Sequence, residues 1–171
     1  MVGDISLSKR PMKRIIEPLT LMGADITSVD GHAPLIIKGR PLQGITYHSK
    51  LASAQVKSCL LLAGLNAEGE TTFIEPYTSR DHTERLFEYL GADIKINGTS
   101  VCVKPSQLTA KDIDVVGDIS SAAFFIAAGL MAKGSDFVIK NVGVNHTRSG
   151  IIDIVSRMGG CVAVSYTHLR A

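Results

Sequence analysis

The run Leu86-Phe-Glu-Tyr-Leu-Gly-Ala-Asp-Ile94 occurs three times in related form, and this repetition decides the fold. Its counterparts are Pro18-Leu-Thr-Leu-Met-Gly-Ala-Asp-Ile26 and Ile154-Val-Ser-Arg-Met-Gly-Gly-Cys-Val162, which lie 68 residues before and after it. A second stretch, residues 61–69, matches residues 126–134 at an offset of 65. A repeat of this length is a supersecondary unit, because it is too long for one turn of a solenoid.

The first half of the repeated unit is predicted to be helix, strand and helix. Apolar residues at helical spacing predict a helix over 53–66, with one buried face. The members of that face are Val56, Cys59, Leu60, Ala63 and Gly64. β-branched and aromatic residues predict a strand over 70–74. Asp81 is predicted to be the N-cap of the next helix, with Glu84 completing a capping box. Gly91 is predicted to end that helix.

A hairpin and a further strand complete the unit. Residues 93–96 and 101–103 are predicted strands, and Asn97-Gly98 between them favours a tight turn. Residues 113–116 are the predicted strand that leads into the next copy. The unit is therefore β-α-β-α-β-β, which places the chain in the α/β class. The first and third copies are incomplete, so we expect a piece of a longer protein that holds about two and a half units.

Composition and charge are those of an ordinary globular protein. The 171 residues are 45% hydrophobic, and 18 basic against 16 acidic residues give a net charge of +2. This mild charge and the absence of Trp argue against a nucleic-acid partner. No apolar segment approaches the roughly 20 residues of a membrane span, and no leader peptide is visible. We therefore expect a cytoplasmic protein whose cysteines, Cys59, Cys102 and Cys161, are reduced and buried.

Three positions place a cationic or polar group at a predicted helix start, where free N–H groups and the helix dipole favour anions. They are Arg10, the run Ser53, Ala54 and Gln55, and Arg80. Arg10 precedes Pro11, a residue suited to the first helical position. Arginine presents a planar fork of donors that matches phosphate or carboxylate. Together these residues predict a polyanion site.

Each candidate also has a purely structural interpretation. A serine at a helix start is most often a simple cap, and an exposed arginine is most often solvated. Lys57, one turn inside its helix, is a further candidate for the same ligand. Ser120 and Ser121 are interpreted as the cap of the next helix. The histidines lack the spacing of metal ligands, so we expect neither a metal nor a cofactor.

Four linked segments carry a family resemblance. They are Gly3-Asp-Ile-Ser-Leu-Ser-Lys-Arg-Pro-Met12, Ser53-Ala-Gln-Val-Lys-Ser-Cys-Leu-Leu-Leu-Ala-Gly-Leu65, Ser79-Arg-Asp-His-Thr-Glu-Arg85 and Val116-Gly-Asp-Ile-Ser-Ser-Ala-Ala-Phe-Phe125. Together they resemble the 5-enolpyruvylshikimate-3-phosphate synthase family. Their order and spacing match the family too, and the second and third segments are similar to the bacterial class II type. The resemblance covers about residues 3–162.

The resemblance implies a fold of two domains, each built from three β-α-β-α-β-β units. Residues 1–114 would form most of the substrate-binding domain, and residues 115–162 the start of the second domain. The implied reaction transfers the enolpyruvyl group of phosphoenolpyruvate to the 5-hydroxyl of shikimate 3-phosphate in a monomeric enzyme, without a metal. Shikimate 3-phosphate would contact Ser53, Ala54, Gln55 and Arg80, and phosphoenolpyruvate would contact Arg10 and Gln55.

The resemblance also implies what this chain would lack. The family's proton-transferring residues would lie downstream of Gly160, so we expect no turnover by this chain alone. Residues 163–171 resemble translated adaptor DNA and are interpreted as a non-native tail, with a divergent strand as the alternative. Two rival functions stay open. One is a UDP-N-acetylglucosamine enolpyruvyl transferase, against which the runs beginning at Ser53 and at Arg80 argue. The other is a non-catalytic binding fragment.

Overall fold

The computed structural model describes residues 2–165, which divide into two compact units, one up to Lys111 and one from Asp112 onward. The first unit contains α1 (Ile5–Ser8), α2 (Lys13–Leu21), β1 (Asp25–Val29), β2 (His32–Lys38), β3 (Thr46–His48), α3 (Ala54–Gly64), β4 (Thr71–Ile74), α4 (His82–Tyr89), β5 (Ile94–Asn97) and β6 (Ser100–Val103). The second contains α5 (Ile119–Met131) and α6 (Gly150–Arg157). Over the described residues, no helix is long and apolar enough to cross a bilayer. Residues 166–171 of the predicted tail lie outside this range.

Residues 46–103 form one complete copy of the repeat, in the predicted order of elements. β3 pairs in parallel with β4, and the antiparallel pairs β4–β6 and β6–β5 complete a sheet of order β3-β4-β6-β5. The hairpin β1–β2 follows α2 as β5–β6 follows α4, so the preceding copy contributes the same second half. The β-α-β-α-β-β prediction is confirmed for this copy.

The glycines that mark the repeat end three helices in the same way. Gly23, Gly91 and Gly159 have φ angles of +95°, +83° and +89°, and each lies two residues beyond the end of a helix. Residues with a side chain rarely adopt this left-handed conformation, whereas glycine does so at little cost. The shared conformation confirms that the 68-residue period is structural.

The core of the first unit lies on two sides of α3. One cluster consists of Met22, Val56, Leu60, Ala67 and Phe73, and the other of Leu61, Leu65, Phe87, Val101 and Val103. The helix thus packs against α2 and β4 on one side and against α4 and β6 on the other. The sequence predicted a single buried face, which is too narrow because Leu61 and Leu65 are also buried. Two predicted members of that face, Cys59 and Ala63, are only half-buried.

Gly64 allows the end of α3 to approach the sheet closely. A Cβ atom added to Gly64 would lie 2.8 Å from Thr71 Cβ and 2.8 Å from Val103 Cγ1. Its repeat counterpart Gly129 is equally confined, because a Cβ atom there would overlap the ring of Phe137. Close helix packing therefore explains why the 65-residue repeat places glycine at both positions.

We expect Gly64→Ala to destabilise the first unit by about 1–3 kcal/mol, since an extra methyl group overpacks this contact. Urea unfolding followed by circular dichroism measures the free energy of unfolding. Gly39→Ala is the matched control, because a Cβ atom at Gly39 meets nothing within 4 Å. The control should change the stability by less than about 0.5 kcal/mol. Equal stability of wild type and Gly64→Ala would contradict the packing argument.

The predicted strand over residues 113–116 is not formed. Ile113, Val115 and Val116 are exposed and belong to no strand. Strand pairing within residues 112–165 is limited to an isolated β-bridge between Gly117 and Val142. An extended segment needs a neighbour for its backbone N–H and C=O groups. Without such a neighbour, β-branched residues alone do not make a strand.

All three cysteines are free thiols, but they differ in exposure. Cys59 and Cys102 are half-buried, whereas Cys161 is exposed, so the prediction of three buried thiols is wrong for Cys161. Burial raises the pKa of the Cys59 thiol. The pKa of Tyr47 on β3 is also raised, by burial and, to a lesser extent, by the nearby Glu17 carboxylate.

Candidate functional site

The parallel strands β3 and β4 bring two helix starts to one edge of the sheet. His48 lies opposite Ile74 at the ends of these strands, so the loops that follow them leave from the same edge. The first loop leads to Ser53–Gln55 at the start of α3, and the second carries Arg80 to the start of α4. The Ser49 N–H donates to the Ile74 carbonyl at 2.8 Å and connects the two loops.

A buried ion network fastens the two helix starts to each other. Lys57 Nζ of α3 lies 3.0 Å from Glu75 Oε1, at the end of β4, and 2.6 Å from Glu84 Oε1 of α4. All three side chains are at most 3% exposed. Glu75 Oε1 also accepts a hydrogen bond from the Ser79 N–H at 2.8 Å. The segment that carries Arg80 is thereby held against the first turns of α3.

Two predictions fail at this network. Lys57 was a further candidate for contacting the ligand, but its ammonium group is enclosed by carboxylates. Asp81 makes no side-chain cap of α4 and accepts from Arg85 Nε at 2.7 Å, while Glu84 turns to Lys57 rather than back to the helix start. A single charged residue in a mostly apolar helix is the sequence signal for such a network, because a buried charge requires a partner. The sequence does not say which acidic residues supply it.

Ser53 is the N-cap of α3. The backbone N–H groups that follow it at the helix start are available to a ligand. The Ser53 hydroxyl accepts from the Val56 N–H at 3.5 Å and donates to Gln55 Oε1 at 3.4 Å, both long for hydrogen bonds. The backbone N–H groups of Ala54 and Gln55 donate to no group within residues 2–165. Two unpaired N–H groups at the positive end of a helix favour an anion.

Arg80 is half-buried, and its guanidinium makes no ion pair or hydrogen bond with the described residues. Its donors are therefore open to a ligand, in the loop that leads from β4 into α4. A cavity of about 320 Å³ adjoins the ion network, and four of its ten lining residues are acidic, among them Asp81 and Glu88. Ser53, Ala54, Gln55 and Arg80 do not line this cavity, although Lys57 does, so the cavity is distinct from the candidate anion site at the two helix starts.

The second unit contains the repeat counterparts of Ser53 and Arg80. Asp118 lies 65 residues after Ser53, and Arg148 lies 68 residues after Arg80. In this unit the Asp118 carboxylate caps α5, accepting from the Ser120 N–H at 3.0 Å, and pairs with Arg148 Nη2 at 3.2 Å. The same Nη2 donates to the Ser120 hydroxyl. A carboxylate of the chain thus occupies, in the second unit, the position that would receive an anion in the first.

This pairing corrects one prediction. Ser120 and Ser121 were expected to cap α5, but Asp118 is the cap. The Asp118 side chain reaches the N–H of the second helical residue, which is typical of an aspartate N-cap.

Arg10 is not placed at a helix start. Helix α2 begins at Lys13 with Met12 as its N-cap, so Pro11 precedes the cap instead of opening the helix. The Met12 N–H donates to the Gly31 carbonyl at 2.7 Å, which ties this segment to the β1–β2 turn. Arg10 is exposed, and no hydrogen bond or ion pair within residues 2–165 connects its side chain to α3 or α4.

Comparison with known proteins gives a consistent match along almost the whole chain. A family model described as EPSP synthase (3-phosphoshikimate 1-carboxyvinyltransferase) matches residues 1–170. Relatives named 3-phosphoshikimate 1-carboxyvinyltransferase include one from Geotalea uraniireducens, 56% identical over 95% of this chain, and one from Bacillus subtilis, 55% identical over 93% of it. This chain spans 38% of the length of each. An EPSP synthase structure from Acinetobacter baumannii superposes on 93% of this chain and 37% of its own, with a TM-score of 0.83 at 50% identity.

Proposed function

Because the chain belongs to the EPSP synthase family, we propose that it supplies the shikimate 3-phosphate site of a 3-phosphoshikimate 1-carboxyvinyltransferase. That enzyme transfers the enolpyruvyl group of phosphoenolpyruvate to the 5-hydroxyl of shikimate 3-phosphate and releases phosphate. One observation carries the proposal: the start of α3 at Ser53 and the segment of Arg80 both follow strands that end at one edge of the sheet. Within residues 2–165, the N–H groups of Ala54 and Gln55 and the Arg80 guanidinium have no hydrogen-bond partner.

The chemistry of these groups fits a phosphate monoester. Its oxygens accept from backbone N–H groups at the start of α3 and from the Ser53 hydroxyl, while the Arg80 fork supplies charge-assisted bonds. The counterpart pair Asp118 and Arg148 supports this arrangement, because there an anionic group is already bound by the same kind of donors. Phosphoenolpyruvate is proposed to contact Arg10 and Gln55, which rests on family membership.

The domain assignment follows from the same proposal. Residues 1–114 are proposed to form most of the substrate-binding domain, and residues 115–162 are proposed to begin the second domain. The division of the chain between Lys111 and Asp112 supports this proposal. The rival UDP-N-acetylglucosamine enolpyruvyl transferase is not favoured, since the family model and the curated relatives carry the shikimate name. The cytoplasmic location and the monomeric state stay predictions from the sequence.

We expect Arg80→Ala to weaken binding of shikimate 3-phosphate to the chain about 10- to 100-fold, because hydrogen bonds to a charged group contribute roughly 1.5–3 kcal/mol. Isothermal titration of the 171-residue chain measures the dissociation constant. Arg40→Ala is the matched control, because Arg40 is an exposed arginine that follows β2 and lies outside the site. A wild type that does not bind, or an Arg80→Ala variant that binds as tightly as wild type, would show that the proposed site is wrong.

A further inference from the structure

We propose that Lys57 is a positioning residue for this anion site: it fixes the spacing between the two helix starts without touching the ligand. The inference rests on the proposed function and extends it to a residue that is 1% exposed. Within residues 2–165, Lys57 Nζ pairs with Glu75 and Glu84 and makes no hydrogen bond or ion pair with Arg80, so its contribution is to geometry.

The network holds both ends of the segment that carries Arg80. Glu75 lies where this segment leaves β4, and Glu84 lies in α4, one turn after it. Lys57 Nζ contacts both carboxylates, at 3.0 Å and 2.6 Å. Because Glu75 Oε1 also binds the Ser79 N–H at 2.8 Å, the residue directly before Arg80 is fixed as well. One ammonium group thus sets where Arg80 stands relative to Ser53.

The second unit explains why a separate connection is needed. There, Arg148 itself joins the two helix starts, because it binds Asp118 and Ser120 at the start of α5. The counterpart of Lys57 in that unit is Ala122, 65 residues later, which is buried and uncharged. In the first unit Arg80 is left for a ligand, so it does not make this connection, and Lys57 makes it instead.

Stability alone is a weak reason for this network. Two carboxylates share one ammonium group, and Glu75 Oε2, Glu84 Oε2 and the Ser79 hydroxyl have no partner within residues 2–165. Buried ion networks of this kind contribute no more to stability than well-packed apolar residues. Short charge-assisted contacts do restrict distance and direction, which is what a positioning role requires.

The test uses the full chain and a variant that leaves no buried charge unpaired, Lys57→Met combined with Glu75→Gln and Glu84→Gln. We expect this triple variant to remain folded and to bind shikimate 3-phosphate at least about 10-fold more weakly in titration. When Arg80→Ala is added to the triple variant, the affinity for shikimate 3-phosphate should fall by less than about 3-fold, because the arginine is already displaced. Lys104→Met, which removes an exposed lysine 4.0 Å from Asp93, is the matched control and should bind as wild type.

Hydrogen exchange of the Ser79 amide gives a readout that needs no ligand, and we expect it to be at least about 10-fold faster in the triple variant. Unchanged affinity in the triple variant, or an Arg80→Ala effect as large as in wild type, would overturn the positioning role and leave the proposed function standing. A wild type that does not bind would overturn the proposed function instead. The amide exchange would then decide, since an unchanged rate overturns the role of Lys57 and a faster rate supports it.

Discussion

Ser53→Asp is expected to close the anion site while leaving the fold intact, with at least about a 100-fold loss of shikimate 3-phosphate affinity and no loss of stability. The second unit is the precedent, because Asp118 stands at the counterpart position, caps α5 and binds Arg148. In the first unit the new carboxylate would pair with Arg80 and accept from the open N–H groups of α3. A carboxylate and a phosphate about 4 Å apart also repel by roughly 4 kcal/mol at an effective dielectric constant of about 20.

Ser53→Asn is the matched control for this substitution. Asparagine caps a helix about as well as serine or aspartate but carries no charge, so its affinity should stay within about 10-fold of wild type. Titration with shikimate 3-phosphate and thermal unfolding together separate binding from stability. Tight binding of shikimate 3-phosphate by Ser53→Asp would show that an aspartate at position 53 does not pair with Arg80 as Asp118 pairs with Arg148.

Lys57→Met alone is expected to destabilise the first unit by about 3–5 kcal/mol, because it leaves the carboxylates of Glu75 and Glu84 buried without a cation. Urea unfolding measures the loss. The triple variant with Glu75→Gln and Glu84→Gln should recover most of it, since neutral amides are far less costly to bury than carboxylates.

The exposed pair of Lys104 and Asp93 is the comparison for this stability effect. Lys104→Met should change the free energy of unfolding by less than about 1 kcal/mol, because exposed ion pairs contribute little. If Lys57→Met and Lys104→Met lowered the free energy of unfolding by similar amounts, the carboxylates of Glu75 and Glu84 would not depend on Lys57 for compensation.

The repeat made much of the fold predictable. Gly23, Gly91 and Gly159 mark equivalent helix ends, and each adopts the left-handed conformation that only glycine tolerates easily. Such glycines predict helix ends reliably, because the left-handed backbone conformation at these positions itself favours glycine. The strand over 113–116 was wrong for the opposite reason, since a strand depends on a neighbour that its own residues do not specify.

The candidate site was predictable only in part. Ser53 as the cap of α3 follows from local chemistry, and the structure places it at the same sheet edge as the segment of Arg80. The partners of Lys57 lie 18 and 27 residues away along the chain, and only the packing of α3 on β4 and α4 selects them. Arg10 was misplaced because a proline can precede a helix cap as well as open a helix.

The start of α3 and Arg80 are proposed to form one anion site, and amide NMR during titration with shikimate 3-phosphate follows both parts of that site at once. We predict that the N–H signals of Ala54 and Gln55 and the Arg80 side-chain signal shift together and saturate with one dissociation constant. The Ser120 N–H, already bound to Asp118, should not move. Saturable shifts elsewhere in the chain, with Ala54, Gln55 and Arg80 unchanged, would show that the ligand binds at another site.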